Sequence, residues 1–318
     1  MPKQSMDNKA SKNSAFPGPD RLDGDHTLPP SDATDLDGSN LNGSSRARAG
    51  RIPTADFQSI PNSEFNNPVL FVGAGPGDPE LITVKGQRAL MAADVVIYAG
   101  SLVPEGLLQW TRPGTTALSS AAMNLEEIIE AIKNAYSKGK RVVRLHTGDP
   151  SLYGAIFEQM VELQRRGIPY NVIPGVTAAF AAAAALGLEY TLPEVSQTLI
   201  LTRMAGRTPV PEKEKLADLA KHQASMAIYL SMSMANEVAG ILTAAYGKNA
   251  TCAVVYRASQ PEEKVIVTRI EKLAERVELE KITKHALIIV GKVLDVRPEN
   301  LQHKSKLYDR KFKHGYRG

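Results

Sequence analysis

One cysteine, Cys252, is all that 318 residues contain. An intramolecular disulfide and a cysteine-based zinc site are therefore both excluded. Aromatic residues make up only 6% of the chain, so the core must be built from aliphatic side chains. No stretch approaches the ~18 unbroken apolar residues of a membrane span. The most apolar run, Val176 to Leu188, is mostly alanine and too short. The six histidines show no metal-ligand spacing to one another, to the cysteine or to a carboxylate. There is no Gly-x-Ser-x-Gly elbow and no His-Glu-x-x-His, which disfavours hydrolytic and metal mechanisms. No basic region followed by an apolar core opens the chain, so no secretory signal is visible and a cytoplasmic location is expected.

What is present is unevenly distributed. Residues 1–66 are rich in Ser, Asn, Asp, Gly and Pro and lack apolar periodicity. Such a composition cannot offset chain entropy by burial and reads as a disordered extension. The formal net charge is +4. The 298–318 tail is basic: Lys304, Lys306, Arg310, Lys311, Lys313 and Arg317 face only Glu299 and Asp309. It is either a solvated tail or an attractor of an anionic ligand. Nucleic acid is disfavoured, because no aromatic stacking platform interleaves with these charges.

Between these segments the pattern is that of an α/β protein. Val69–Val72 is a fully apolar strand of the type buried on both faces of a parallel sheet. Further strands are expected at Val95–Tyr98, Arg141–His146 and Tyr170–Ile173, with helices at Thr83–Ala93, after Asn124, and at Ile156–Arg166. Asn124 and Glu127 form a capping-box pair, and Gly139 stands where a C-cap glycine belongs. The alanine-rich segment Thr177–Ala185 reads as a helical connection. Beyond it come strands at 198–202, 227–230, 253–256, 264–268 and 286–290, with helices near 212–221, 234–245 and 271–282. The short spacing of 253–256 and 264–268 suits an antiparallel pair. Two α/β domains are expected, 67–190 and 191–297, the first sheet mostly parallel and the second mixed.

Three glycine-rich turns follow strands of the first domain: 73–79, 147–154 and 174–178. Ligands bind beyond the carboxyl ends of strands in open parallel sheets, so the placement suits a crevice. A dinucleotide fingerprint would need a third glycine where Asp78 stands. A phosphate loop would need a Lys-Ser/Thr pair, and Pro76 and Pro79 remove amide donors. Gly148-Asp149-Pro150 echoes Gly77-Asp78-Pro79 at a different strand end. Glycine there permits close backbone approach to a flat or bulky ligand. Asp78 and Asp149 are either ligand-orienting carboxylates or helix N-caps. His146, ending a strand, faces either the crevice or the core.

These blocks carry a resemblance. Val72–Leu81 with Thr83 and Lys85, Arg144–Pro150, and Val172–Ala178 resemble the S-adenosylmethionine (SAM)-dependent tetrapyrrole methyltransferases, over about Val69 to Leu294. Asp94–Val103, Gly148–Gly154, Ser305–Asp309 and His314–Arg317 resemble the precorrin-4 C11-methylating branch, which also exists in a cobalt-precorrin-4 form. One departure from the uroporphyrinogen-III branch is Thr147, which stands where those enzymes carry glycine. The resemblance implies SAM in the interdomain cleft, a homodimer, an anionic tetrapyrrole substrate and no protein-bound metal. Carried over residue by residue, it places SAM contacts on Pro76, Thr147, Gly148, Asp149, Leu152, Thr177, Ala178, Leu230 and Ala258. Leu230 and Ala258 stand where family members often carry Met and Gly. Substrate-trough candidates are Tyr98, Ser101 and Tyr153, each on or beside a strand-end loop, with Tyr98 alternatively a packed strand residue. Asp78 and Arg317 are further substrate candidates. No general base is identified. Rival readings are another tetrapyrrole methylase, such as uroporphyrinogen-III methyltransferase, a methylase of RNA or of the diphthamide precursor, an NAD-linked reductase, and a non-enzymatic tetrapyrrole binder.

Overall fold

A computed structural model describes residues 67–296, 299, 305–313, 315 and 316. The expectations for residues 1–66 and for Arg317 lie outside the described residues. Among the described residues ten strands form two five-stranded sheets. The first contains β1 (Val69–Gly73), β2 (Val95–Tyr98), β3 (Thr116–Ser119), β4 (Val142–His146) and β5 (Tyr170–Ile173), in the order β3-β2-β4-β1-β5. Every pairing in it is parallel. β4, β1 and β5 are therefore neighbours, and the three glycine-rich turns leave one edge side by side. β3 escapes a sequence reading because it is four residues long and mostly exposed at the sheet edge, with no apolar alternation to mark it.

The second sheet contains β6 (Leu199–Arg203), β7 (Ser225–Tyr229), β8 (Thr251–Tyr256), β9 (Lys264–Arg269) and β10 (Ala286–Val290), in the order β6-β7-β10-β8-β9. β6 and β7 are parallel; the other pairs are antiparallel, including the expected β8–β9 hairpin.

The helices bury the stripes that the sequence presents. α1 (Val84–Ala92) starts at Thr83, whose hydroxyl accepts from Gly86 N–H. α2 (Leu125–Tyr136) carries the complete Asn124–Glu127 capping box and buries Ile128, Ile129 and Ile132. It ends three residues before Gly139, which instead closes the following turn at φ +68°. α3 (Ile156–Arg165) covers the same face, where Phe71, Ile97 and Leu163 are fully buried. The alanine-rich helix α4 (Ala178–Leu186) is more than a connection. Ala179, Ala181, Ala182 and Ala183 pack on Ala227, Ala253, Leu287 and Ile289 of the second sheet. Small residues on both sides let the backbones approach. α5 (Leu216–Ala220), α6 (Ala235–Tyr246) and α7 (Leu273–Leu279) pack with Met226, Ile228, Val254 and Ile288 in a second core.

β4 also carries two buried polar residues on one face. Arg144 Nε donates to Gln159 Oε1 at 3.0 Å and Nη1 donates to the Ile97 carbonyl at 3.1 Å. Burial pushes the guanidinium down to about 10. His146 lies beside the Phe71 ring, 5.9 Å between centroids, and its Nε2 has no hydrogen-bond partner. Burial and the Arg144 charge push the imidazole down to about 3, so it is neutral. The histidine faces the core.

Candidate functional site

The three turns are tied to one another. Gly75 N–H donates to the Gly148 carbonyl at 3.2 Å, and Gly148 N–H donates to Gly75 at 2.8 Å. Asp149 fastens the third turn, its Oδ2 accepting from Gly175 N–H at 2.9 Å. Its Oδ1 accepts from Ser151 N–H at 2.8 Å and also from the Ser151 hydroxyl. Burial opposes ionisation of Asp149, but the hydrogen bonds from Ser151 and Gly175 outweigh it and hold the carboxyl below its ordinary value. The close approach that glycine permits here is between turns. A Cβ on Gly73 would lie 2.6 Å from the Gly175 Cα, and one on Gly175 would lie 2.2 Å from the Gly148 oxygen. The first turn also reaches the second sheet: Asp78 N–H donates to Ser259 Oγ at 3.0 Å, and Gln260 Nε2 donates to the Pro76 carbonyl at 3.1 Å. Trp110 Nε1 holds its far end, donating to the Pro79 carbonyl at 3.1 Å.

Beside these turns lies a cavity of about 630 Å³, within the ~300–1,000 Å³ usual for small-molecule sites. Pro76, Thr147, Gly148, Asp149, Leu152, Thr177, Ala178, Leu230 and Ala258 all line it. Residues far apart in sequence and drawn from both sheets thus share one space. Ser101 and Tyr153 line it too.

Tyr98 does not. It is 8% exposed and packs with Val103 and Leu107 beneath the loop, so its place in a substrate trough is corrected to a core position. Asp78 takes the helix-cap reading left open for it. It is no part of the cavity lining; its Oδ1 caps the short 3₁₀ turn Pro79–Leu81 by accepting from Glu80 N–H at 2.8 Å.

Tyr229 is a cavity residue that sequence reasoning missed. Its hydroxyl lies 2.6 Å from Thr177 Oγ1 and accepts from Ala179 N–H at 3.0 Å, supplying the cap that Thr177 does not give α4. Its ring stands 5.5 Å from that of Tyr153. One side chain on β7 thereby touches two of the first-sheet turns. Burial raises its pKa, which keeps the hydroxyl protonated. A tyrosine ending a buried strand carries no local signal for this role.

Backbone strain gathers here. Tyr153, Leu230, Arg257 and His285 line the cavity with φ of 56°, 53°, 47° and 58°. The left-handed conformation costs a residue with a Cβ ~1–2 kcal/mol, and such costs cluster at ligand sites.

Residues 68–274 match the model of the tetrapyrrole (corrin/porphyrin) methylases. The chain belongs to this family. A cobalt-precorrin-4 C(11)-methyltransferase from Methanocaldococcus jannaschii is 55% identical over 253 residues, 79% of this chain and 96% of that one. A crystal structure of a cobalt precorrin-4 methyltransferase is 47% identical, with a TM-score of 0.70 over 72% of this chain and 96% of the other. A uroporphyrin-III C-methyltransferase from Thermus thermophilus, solved with S-adenosylhomocysteine, is 28% identical, with a TM-score of 0.57 over 72% and 93%. The methylase fold thus accounts for both sheets. Among the described residues no helix is long and apolar enough to cross a membrane, and no group of three or more His, Cys, Asp and Glu could hold a metal ion.

Proposed function

We propose that this protein transfers the methyl group of SAM to C11 of precorrin-4, or of its cobalt form, in corrin-ring biosynthesis. The observation that carries the reading is convergence. The nine residues assigned to SAM on family resemblance line one cavity, in a chain that spans 96% of a cobalt-precorrin-4 C(11)-methyltransferase at 55% identity. Residues 67–190 and 191–297 would be its two α/β domains. On the same reading it is a cytoplasmic homodimer that engages neither nucleic acid nor a membrane and needs no bound metal.

The cavity fits a nucleoside joined to an amino acid. Leu152, Ala178, Leu230, Val255, Ala258 and Leu287 supply apolar wall, while Thr147 and Thr177 supply hydroxyls. SAM supplies an activated methyl on a good leaving group. The chain's own contribution is placement. Knitted turns fix Thr147, Gly148 and Thr177, and Tyr229 holds Thr177 and the start of α4. Fixing two reactants in an attack geometry can supply on the order of 7–11 kcal/mol. That suffices for much of a transfer requiring little covalent help from the protein, and accords with a cavity of binding loops without a triad. Ser101 and Tyr153 would line the path of the macrocycle.

The test is incubation with methyl-labelled SAM and metal-free or cobalt-loaded precorrin-4. Mass spectrometry should show one methyl added, at C11 by carbon NMR. Methylation of uroporphyrinogen III in preference to either would overturn the assignment.

A further inference from the structure

The cavity is electrically lopsided. The first-sheet turns that line it contribute no Lys, Arg or His; their only charged residues there are Glu105 and Asp149. Asp149 is already engaged by Gly175 and Ser151. All the basic side chains of the lining belong to the second-sheet wall: Arg257, Lys284 and His285.

These three are neighbours by construction. Arg257 follows β8 and His285 precedes β10, its antiparallel partner. Arg257 N–H donates to the His285 carbonyl at 2.8 Å. Both residues hold left-handed backbones that glycine would adopt without cost. The strain is retained at two positions that line the cavity. Arg257 Nη1 meets Glu262 Oε2 at 3.1 Å, and the guanidinium lies 5.6 Å from the Tyr256 ring centre. Its Nε is buried with no partner. Lys284 is exposed and forms no ion pair among the described residues. Burial and the adjacent Lys284 and Arg257 charges lower the His285 pKa, which makes it a neutral hydrogen-bonding group between two cations.

We propose that Arg257 and Lys284, with His285 between them, form a carboxylate-binding subsite on the second-sheet wall of the cavity. The carboxylate comes either from the periphery of the macrocycle or from the amino-acid end of the cosubstrate; both ligands follow from the proposed function. The Arg257 guanidinium, shared with Glu262, and the Lys284 ammonium supply the charge-assisted donors that a carboxylate needs.

The test uses the full chain with both cations neutralised, Arg257→Gln with Lys284→Gln, beside a control that keeps the charges, Arg257→Lys with Lys284→Arg. The probes are S-adenosylhomocysteine, 5′-methylthioadenosine (which lacks the carboxylate) and uroporphyrin III, titrated by calorimetry at two salt concentrations. Neutralisation should weaken a carboxylate-bearing probe roughly tenfold and flatten its salt dependence. Methylthioadenosine should bind as before, and the control should keep most of the affinity. A loss confined to S-adenosylhomocysteine assigns the subsite to the cosubstrate; a loss confined to uroporphyrin assigns it to the macrocycle. Unchanged affinity for both overturns the subsite, as does an equal loss for methylthioadenosine. Failure of the unmodified protein to bind either carboxylate probe would remove the functional reading and the subsite with it.

Discussion

The two walls of the cavity solve one backbone problem in opposite ways. On the first-sheet side the chain turns sharply at Gly75 and Gly148, with φ of 78° and 60°. On the second-sheet side it adopts the same left-handed conformation at Leu230, Arg257 and His285. Crowding accounts for Gly75, where a Cβ would lie 2.9 Å from the Leu81 carbonyl oxygen, but not for Gly148, where it would meet only Thr177 Cα at 3.7 Å. The first-sheet turns touch backbone to backbone, and Gly73 and Gly175 have no room for a Cβ. The second-sheet loops also touch, Arg257 N–H meeting the His285 carbonyl at 2.8 Å, yet both positions keep their side chains and line the cavity. One wall is a rigid backbone scaffold; the other spends stability to display chemistry. Tyr153, left-handed on the first wall, is the exception there, four residues beyond the Asp149 fastening.

The largest effect should follow from adding one methyl to the crowded wall. Gly175→Ala places carbon 2.2 Å from a backbone oxygen. It should cost about 3 kcal/mol or more, seen in urea denaturation or as loss of soluble protein. Near-normal stability would show that the turns can part.

The next contrast is set by pH. The first sheet buries His146, held at about 3 against an ordinary 6.5. Between those values the unfolded chain takes up a proton that the folded chain refuses, so stability falls as pH drops below about 6.5. The second core instead buries Cys252 and half-buries Tyr246, both pushed up to about 12 by burial, and these weaken it only as alkali ionises the unfolded chain. Acid should therefore open the first sheet before the second, read by hydrogen exchange. His146→Phe should recover on the order of 3–5 kcal/mol across the full acid window. A wild-type acid slope left intact by that variant would break the contrast.

The smallest effect has the opposite sign. Leu230→Gly relieves left-handed strain at a residue 63% exposed. Thermal unfolding should show a gain of roughly 0.5–1 kcal/mol, while affinity for S-adenosylhomocysteine falls. A loss of stability would mean that Leu230 packs better than its exposure suggests.

Much of this could be read from the chain alone, for identifiable reasons. Strands such as Val69–Gly73 announce themselves because both faces are buried, and the Asn124–Glu127 box fixes its helix through contacts three residues apart. The three turns read as one crevice because each follows a strand, whereas the individual cosubstrate residues came from the family resemblance. What failed was long-range or orientational. β3 has no apolar pattern, and Tyr98 sits beside the right loop with its ring turned into the core. Asp78 caps its own turn, the alternative left open at the outset. Gly73 and Gly175 approach each other across two turns, a contact no local pattern announces. Tyr229 and the pairing of Arg257 with His285 depend on contacts across elements 52 and 28 residues apart, which no local pattern encodes.

Trp110 is the only tryptophan in the chain, and its indole N–H is held by the Pro79 carbonyl at the far end of the first turn. A single indole fluorophore, excitable apart from the ten tyrosines, thus sits on the scaffold wall. Its emission reports the state of that turn without any label. Ligand entry that shifts Pro79 would register as a change in colour, and the rate of that change would time the scaffold's response separately from the chemistry.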